Sequence, residues 1–68
     1  MNENVEKSIK RLCKLIFWYN ENHEESYYHF YKGYEFALHS LGINVQIVAN
    51  KFVNYKDKMF IVEDYKDA

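Results

Sequence analysis

The side chains that could do covalent or metal chemistry are few: His23, His29, His39 and Cys13. A general base or a metal site needs at least two such groups converging on one point. On one helix, His29 and His39 point about 80° apart and lie roughly 15 Å from each other. They cannot share a substrate or a metal within one chain. His23 falls in a helix start. Cys13 is the only cysteine and sits beside an apolar stripe, which reads as a buried, inert thiol. The chain has no glycine-rich phosphate loop, no GxSxG and no HExxH pattern. We read it as non-enzymatic, with no catalytic residue and no cofactor or metal.

A second kind of chemistry is electrostatic. Lys7, Lys10, Arg11 and Lys14 share one face of a first helix, and Trp18 stands at its end. Four cations with an aromatic neighbour could track phosphates and stack a base. The simpler reading is a solvated face that balances the apolar stripe behind it. Residues 1–15 carry a net +2, residues 16–40 a net −3, and residues 41–68 are balanced, for −1 in all. Glu3, Glu6 and the acidic second helix would repel a duplex. Nucleic-acid binding through Lys7, Lys10, Arg11 and Lys14 is therefore the second reading. The overall charge gives no general pull toward nucleic acid or membrane.

The third resource is aromatic surface. Aromatics make up 19% of the chain, and Tyr and Trp are enriched where proteins bind one another. Trp18, Phe17, Tyr28 and Phe36 lie off the stripes that a small core can bury. Trp18, Tyr28 and Phe36, with Lys32 and with Tyr31 and Tyr34 shared between core and surface, form the expected protein-binding face.

The elements that position these groups follow from periodicity. Val5, Ile9, Leu12, Ile16 and Tyr19 recur at alternating spacings of four and three, widened by Cys13 and Leu15, which predicts a helix over about 4–19 capped by Asn2 or Asn4. Asn20-Glu21-Asn22 is a three-residue connection, so the next helix runs antiparallel to the first. That helix, about 23–41, opens on a capping-box-like pair, Asn22 and Glu25, and closes on Gly42. Tyr27, Phe30, Tyr31, Tyr34, Leu38 and Leu41 form its apolar face. Ser26, Gly33, Ala37 and Ser40 form a small-residue stripe at which something could approach closely.

After Gly42 the pattern changes to short β-branched and aromatic runs, predicting strands at about 44–49, 52–55 and 59–64, with turns at Asn50-Lys51 and Lys56-Asp57-Lys58. The whole is an α+β domain of 68 residues: an N-terminal antiparallel helical hairpin followed by a small β-meander. The competing all-α reading, three helices, rests on the three–four spacing of Val45, Val48, Phe52, Tyr55, Met59 and Val62. The last residues, 64–68, are expected to fray. A core this small without a disulfide or metal wants a partner, so a homodimer or a larger protein partner is expected. The lone cysteine fits the cytoplasm. The longest early apolar run, Leu15 to Tyr19, resembles neither a signal peptide nor a membrane span.

The segment Tyr27-Tyr28-His29-Phe30-Tyr31-Lys32-Gly33-Tyr34, leading through Ala37-Leu38 to Leu41-Gly42-Ile43, resembles the small, Pro-free, Lys/Asn/Tyr-rich accessory proteins of phages and prophages of low-GC Gram-positive bacteria. The resemblance covers about residues 22–45. It implies a cytoplasmic host-takeover or anti-defence factor that inhibits a larger protein by covering its surface, and it carries over no catalytic residue.

Overall fold

A computed structural model describes residues 2–68. Two helices, α1 (Glu3–Asn22) and α2 (Glu25–Ser40), precede three short strands, β1 (Gln46–Val48), β2 (Phe52–Tyr55) and β3 (Lys58–Ile61), and a 3-10 helix, Val62–Tyr65. The strands pair antiparallel in the order β1-β2-β3. The fold is α+β, and strands occupy the segment that also scanned as a third helix. The β-branched and aromatic content of that segment outweighs its three–four spacing.

The start of α1 follows from Asn2, whose side chain accepts from the Asn4 N–H at 2.7 Å. Its end departs from expectation. The helix continues through Asn22 and stops at His23, which is left-handed at φ 53 and donates its N–H to the Tyr19 carbonyl. The expected capping box does not form, because the Asn22 amide turns back to donate to the Trp18 carbonyl at 2.7 Å. Glu24 precedes α2 without a side-chain cap. The connection is His23-Glu24, one residue shorter than expected, and the two helices pack as an antiparallel pair.

The far end of α2 matches expectation. Gly42 takes φ 84. Its N–H donates to the His39 carbonyl at 3.0 Å, and the Ile43 N–H donates to the Leu38 carbonyl at 2.8 Å. These two bonds are the Schellman closure, and glycine adopts the required left-handed backbone without strain.

Alternation orients the sheet. Ile47, Val53 and Phe60 pair across the three strands and form one row. That row faces α1 and closes the core with Ile9, Leu12, Cys13, Ile16, Tyr31, Leu38, Val45 and Val62. The rows Val48–Phe52–Ile61 and Gln46–Asn54–Met59 face outward. β3 is shorter than expected, because at Val62 the chain turns into the 3-10 helix and tucks under α1. The expected fraying is corrected there too: the Tyr65 ring lies 5.9 Å from Phe60, with Lys10 Nζ 5.5 Å above it. Phe17, expected on the surface, is half-buried with Lys66 Nζ 5.9 Å from its ring.

The β1–β2 turn is tight and strained. Ala49 and Asn50 take φ 53 and φ 56, and the Lys51 N–H closes onto the Val48 carbonyl at 3.0 Å. Asparagine tolerates this backbone and alanine does not. Asn50 also joins three elements: its carbonyl accepts from Asn20 Nδ2 at 2.8 Å, and its Oδ1 accepts from the Tyr31 hydroxyl at 3.2 Å.

Two sets of substitutions test this architecture by urea denaturation. Leu12 is fully buried and Leu41 is 76% exposed, so Leu12→Ala should cost about 3 kcal/mol and Leu41→Ala less than about 0.5 kcal/mol. Ala49→Gly should stabilise the fold by roughly 0.5–1 kcal/mol, since relief of left-handed strain exceeds the added chain entropy.

Candidate functional site

α2 buries little of itself. Of its 16 residues only Tyr31 and Leu38 are buried. Tyr27 and Tyr34 are half-buried, whereas Phe30 (55%) and Leu41 lie largely in solvent. The apolar face expected for this helix is thus split. One edge reaches the core through Tyr31 and Leu38, and the other edge is open. The open edge is where the aromatic surface runs. Trp18 and Tyr27 meet edge to face at 6.2 Å, and Tyr27 and Phe30 do so at 6.0 Å.

Beside Trp18, α1 and α2 form a groove of about 380 Å³, lined by Arg11, Lys14, Leu15, Trp18, Tyr34 and Ala68. Lys14 Nζ stands 5.2 Å from the Trp18 ring centre, within cation–π range. Arg11 forms no ion pair among the described residues. The rest of the basic face is already engaged. Lys7 pairs with Glu3 at 3.6 Å and Lys10 with Glu6 at 3.3 Å. Glu6 also receives Lys58 Nζ at 3.2 Å, tying α1 to β3. Hydrogen bonds from Lys58 and Lys10 hold the Glu6 carboxyl below its ordinary range. The positive surface that faces outward unpaired is therefore narrower than four cations in the sequence suggest, and it centres on Arg11 and Lys14.

The other predicted residues fall elsewhere. The Tyr28 and Tyr31 rings lie tilted against Tyr19, with ring centres 5.8 and 5.7 Å apart. Burial raises the Tyr31 hydroxyl, and the hydrogen bond to Asn50 opposes this. Lys32 pairs with Glu35 at 2.8 Å, which raises its ammonium above the usual lysine value. Phe36 is 74% exposed and lies on a third direction of the α2 wheel. The structure brings Trp18 and Tyr34 together with Arg11 and Lys14, and it leaves Tyr28, Tyr31 and Lys32 in a separate cluster. Tyr27, Phe30 and Leu15 complete the exposed ridge and groove. Helical periodicity assigns Tyr27, Phe30 and Leu15 to the core side, so only the position of α1 beneath α2 reveals them.

Gly33 has open space around it. A Cβ added there would meet nothing within 4 Å, and Ser26, Ala37 and Ser40 are exposed. Among the described residues nothing comes within 4 Å of the place a Gly33 Cβ would take. A second depression, about 260 Å³, lies by the sheet between Asn20, Asn50, Lys51, Phe52, Ile61 and Glu63, with the Asn20 amide donating to the Asn50 carbonyl at its edge.

Each histidine has its own partner. His23 packs on Tyr19, His29 Nε2 lies 3.2 Å from Glu25 Oε1, and His39 Nε2 donates to the Val45 carbonyl at 2.9 Å. Among the described residues no group of three or more His, Cys, Asp or Glu side chains is placed to hold a metal ion. No described helix is long and apolar enough to cross a membrane. No family model matches the chain, and neither does any curated protein or solved structure.

Cys13 is fully buried, and desolvation pushes its thiol from 9.0 up to about 12. The raised folded-state value means that stability is complete below pH 9. Above it the unfolded chain ionises first, and about 1.4 kcal/mol is lost per pH unit up to about 12. A thiol reagent at pH 8 should leave the native protein unlabelled and label it fully in urea. Cys13→Ser should flatten this particular loss between pH 9 and 11 in denaturation curves.

Proposed function

We propose that this chain is a small, non-enzymatic protein-binding module of the cytoplasm. It works as a homodimer and inhibits a larger host or defence protein by covering its surface, in the manner of a phage-encoded inhibitor. The observation that carries this reading is the contiguous Trp18–Tyr27–Phe30 ridge beside the Arg11–Lys14 groove. Large apolar side chains held in solvent on a small protein mark interfaces. Trp, Tyr and Arg are the side chains that contribute most at them, since they bury large area at little entropic cost.

The chemistry of the groove describes the partner. Trp18, Leu15 and Tyr34 would receive an apolar side chain, and Arg11 with Lys14 would pair with carboxylates at its border. The partner surface is thus acidic around one protruding hydrophobic residue. A second reading uses the same place. Lys14 over the Trp18 ring, with Arg11 beside it, could hold a single-stranded nucleic acid by stacking and phosphate pairing. The engagement of Lys7 and Lys10 by Glu3 and Glu6 leaves that reading two free cations, so the protein partner is preferred.

Affinity capture from cells of the native host, read by mass spectrometry, tests this with Trp18→Ala/Arg11→Glu as the control bait. The wild type should retain a partner that the variant loses by about ten-fold or more, with the circular dichroism of the variant unchanged. Equal capture by both baits would remove the groove from the interface. Gel-shift titrations at low salt separate the alternatives. A nucleic-acid binder would shift RNA or DNA and lose the shift in Lys7→Ala/Arg11→Ala/Lys14→Ala, whereas the preferred reading expects no shift.

A further inference from the structure

Residues 65–68 run across the basic face of α1. Tyr65 fixes their course: its ring lies 5.9 Å from Phe60 and under Lys10 Nζ at 5.5 Å. Beyond it Lys66, Asp67 and Ala68 are all exposed. Lys66 Nζ stands 5.9 Å from the Phe17 ring centre, and the Ala68 N–H donates to the Tyr65 carbonyl at 3.0 Å. Asp67 forms no ion pair among the described residues. Ala68 reaches the groove beside Trp18, with Arg11 and Lys14. It also lines a neighbouring depression of about 330 Å³, with Lys7, Lys10 and Arg11. Arg11 and Ala68 are common to both hollows, so Ala68 stands at Arg11 as the partition between them.

We propose that Lys66–Ala68 is a displaceable strap across one continuous basic trough, which opens to an extended acidic peptide when the strap lifts. Lys7, Arg11, Lys14 and Trp18 recur at spacings of four, three and four along α1, and so share a face. From Lys7 to Trp18 is about 16 Å of helix, the length of about five residues of extended peptide. With Ala68 seated, the run is cut at Arg11. The half beside Trp18 spans about 10 Å, enough for about three residues. Arg11 is the cation best placed to receive a carboxylate, since it forms no ion pair among the described residues, and the strap lies beside it. The Lys7–Glu3 pair at the far end is long and lies in solvent. Pairs of that kind contribute little, so Lys7 is able to turn to a ligand.

The strap is a poor copy of that ligand. Asp67 beside Ala68 sets one carboxylate next to one apolar side chain, the pattern the groove suits. A single methyl group fills little of the 380 Å³ beside Trp18, Leu15 and Tyr34, so the strap occupies the border without closing the groove. Its hold is weak. An exposed cation–π contact such as Lys66 on Phe17 favours the seated form by only about two- to five-fold. A ligand that needs the strap lifted loses affinity by the same factor. This inference rests on the acidic-partner reading of the groove, and adds to it a length and a control.

Titrations of the full chain test the strap. Trp18 is the only tryptophan, so its fluorescence reads occupancy of the groove. The probes are two acetylated, amidated pentapeptides: a leucine followed by four glutamates, and the same residues in reverse order. Lys66→Gly/Asp67→Gly/Ala68→Gly loosens the strap and leaves net charge unchanged, because it removes one cation and one anion. Its circular dichroism should match the wild type, since all three residues are exposed. It should bind the better probe about two- to five-fold more tightly than the wild type. Ala68→Phe, which fills the groove from the strap itself, should bind it about three-fold more weakly or worse. A fixed wall of the groove behaves in the opposite way, since loosening it weakens binding.

Iodide quenching of Trp18 gives a second measurement that needs no peptide. The anion should quench the loosened variant more steeply than the wild type. Equal or weaker peptide binding by the loosened variant overturns the strap while leaving the groove as the binding site. Equal iodide quenching of the two proteins also overturns the strap. Binding of neither peptide to any of the three proteins overturns the acidic ligand, for groove and trough alike.

Discussion

Covering one stripe of α1 is the constraint from which the remaining structure follows. Ile9, Leu12, Cys13 and Ile16 have no exposure at all, and no single neighbour covers them. α2 takes one side through Tyr31 and Leu38. The inward sheet row Ile47–Val53–Phe60 and Val62 of the 3-10 helix complete the cover. A domain of this length has little apolar surface to spend, and most of it is committed to this one helix. Polar ties then fix the arrangement at its edges. Glu6 joins α1 to β3 through Lys58, and Asn50 joins the first hairpin turn to both helices.

The same constraint explains why α2 is left bare. It has one helix to lean on and turns only two side chains fully into the core, so Phe30 and Leu41 stand largely in solvent. Its N-terminal end reaches Trp18 of α1, where the Arg11–Lys14 groove begins. Its middle carries Phe30 in solvent beside the exposed Gly33 and Ala37. The groove combines charge with aromatics, and the helix edge beyond it is neutral.

Most of the architecture was legible because it rests on local rules. The α1 stripe, the Gly42 closure and the two hairpins follow from spacing, from a left-handed glycine and from β-branched runs. Boundaries were less legible where two local options compete. Asn22 can cap α2 or return its amide to Trp18, and the structure shows the second. The site was partly legible. Arg11, Lys14 and Trp18 share one face of α1 by their spacing, and only the packing of α2 on α1 adds Tyr34 to make a groove. Phe30 was assigned to the core because periodicity reports a face and not how much of that face a neighbour reaches. Tyr28 and Lys32 were grouped with Trp18 because both stand off the apolar stripe, although they stand off it in different directions.

The order of elements along the chain has a consequence for synthesis. The contact between Glu6 and Lys58 spans 52 residues, and the strands that cover α1 are made after both helices. At 5–20 residues per second, the ribosome adds that stretch in roughly three to ten seconds. During this interval α1 has only α2 to shield Ile9, Leu12 and Ile16, and half of its stripe stays in water. The nascent helical hairpin is therefore the sticky species in the life of this protein, the form a chaperone would meet.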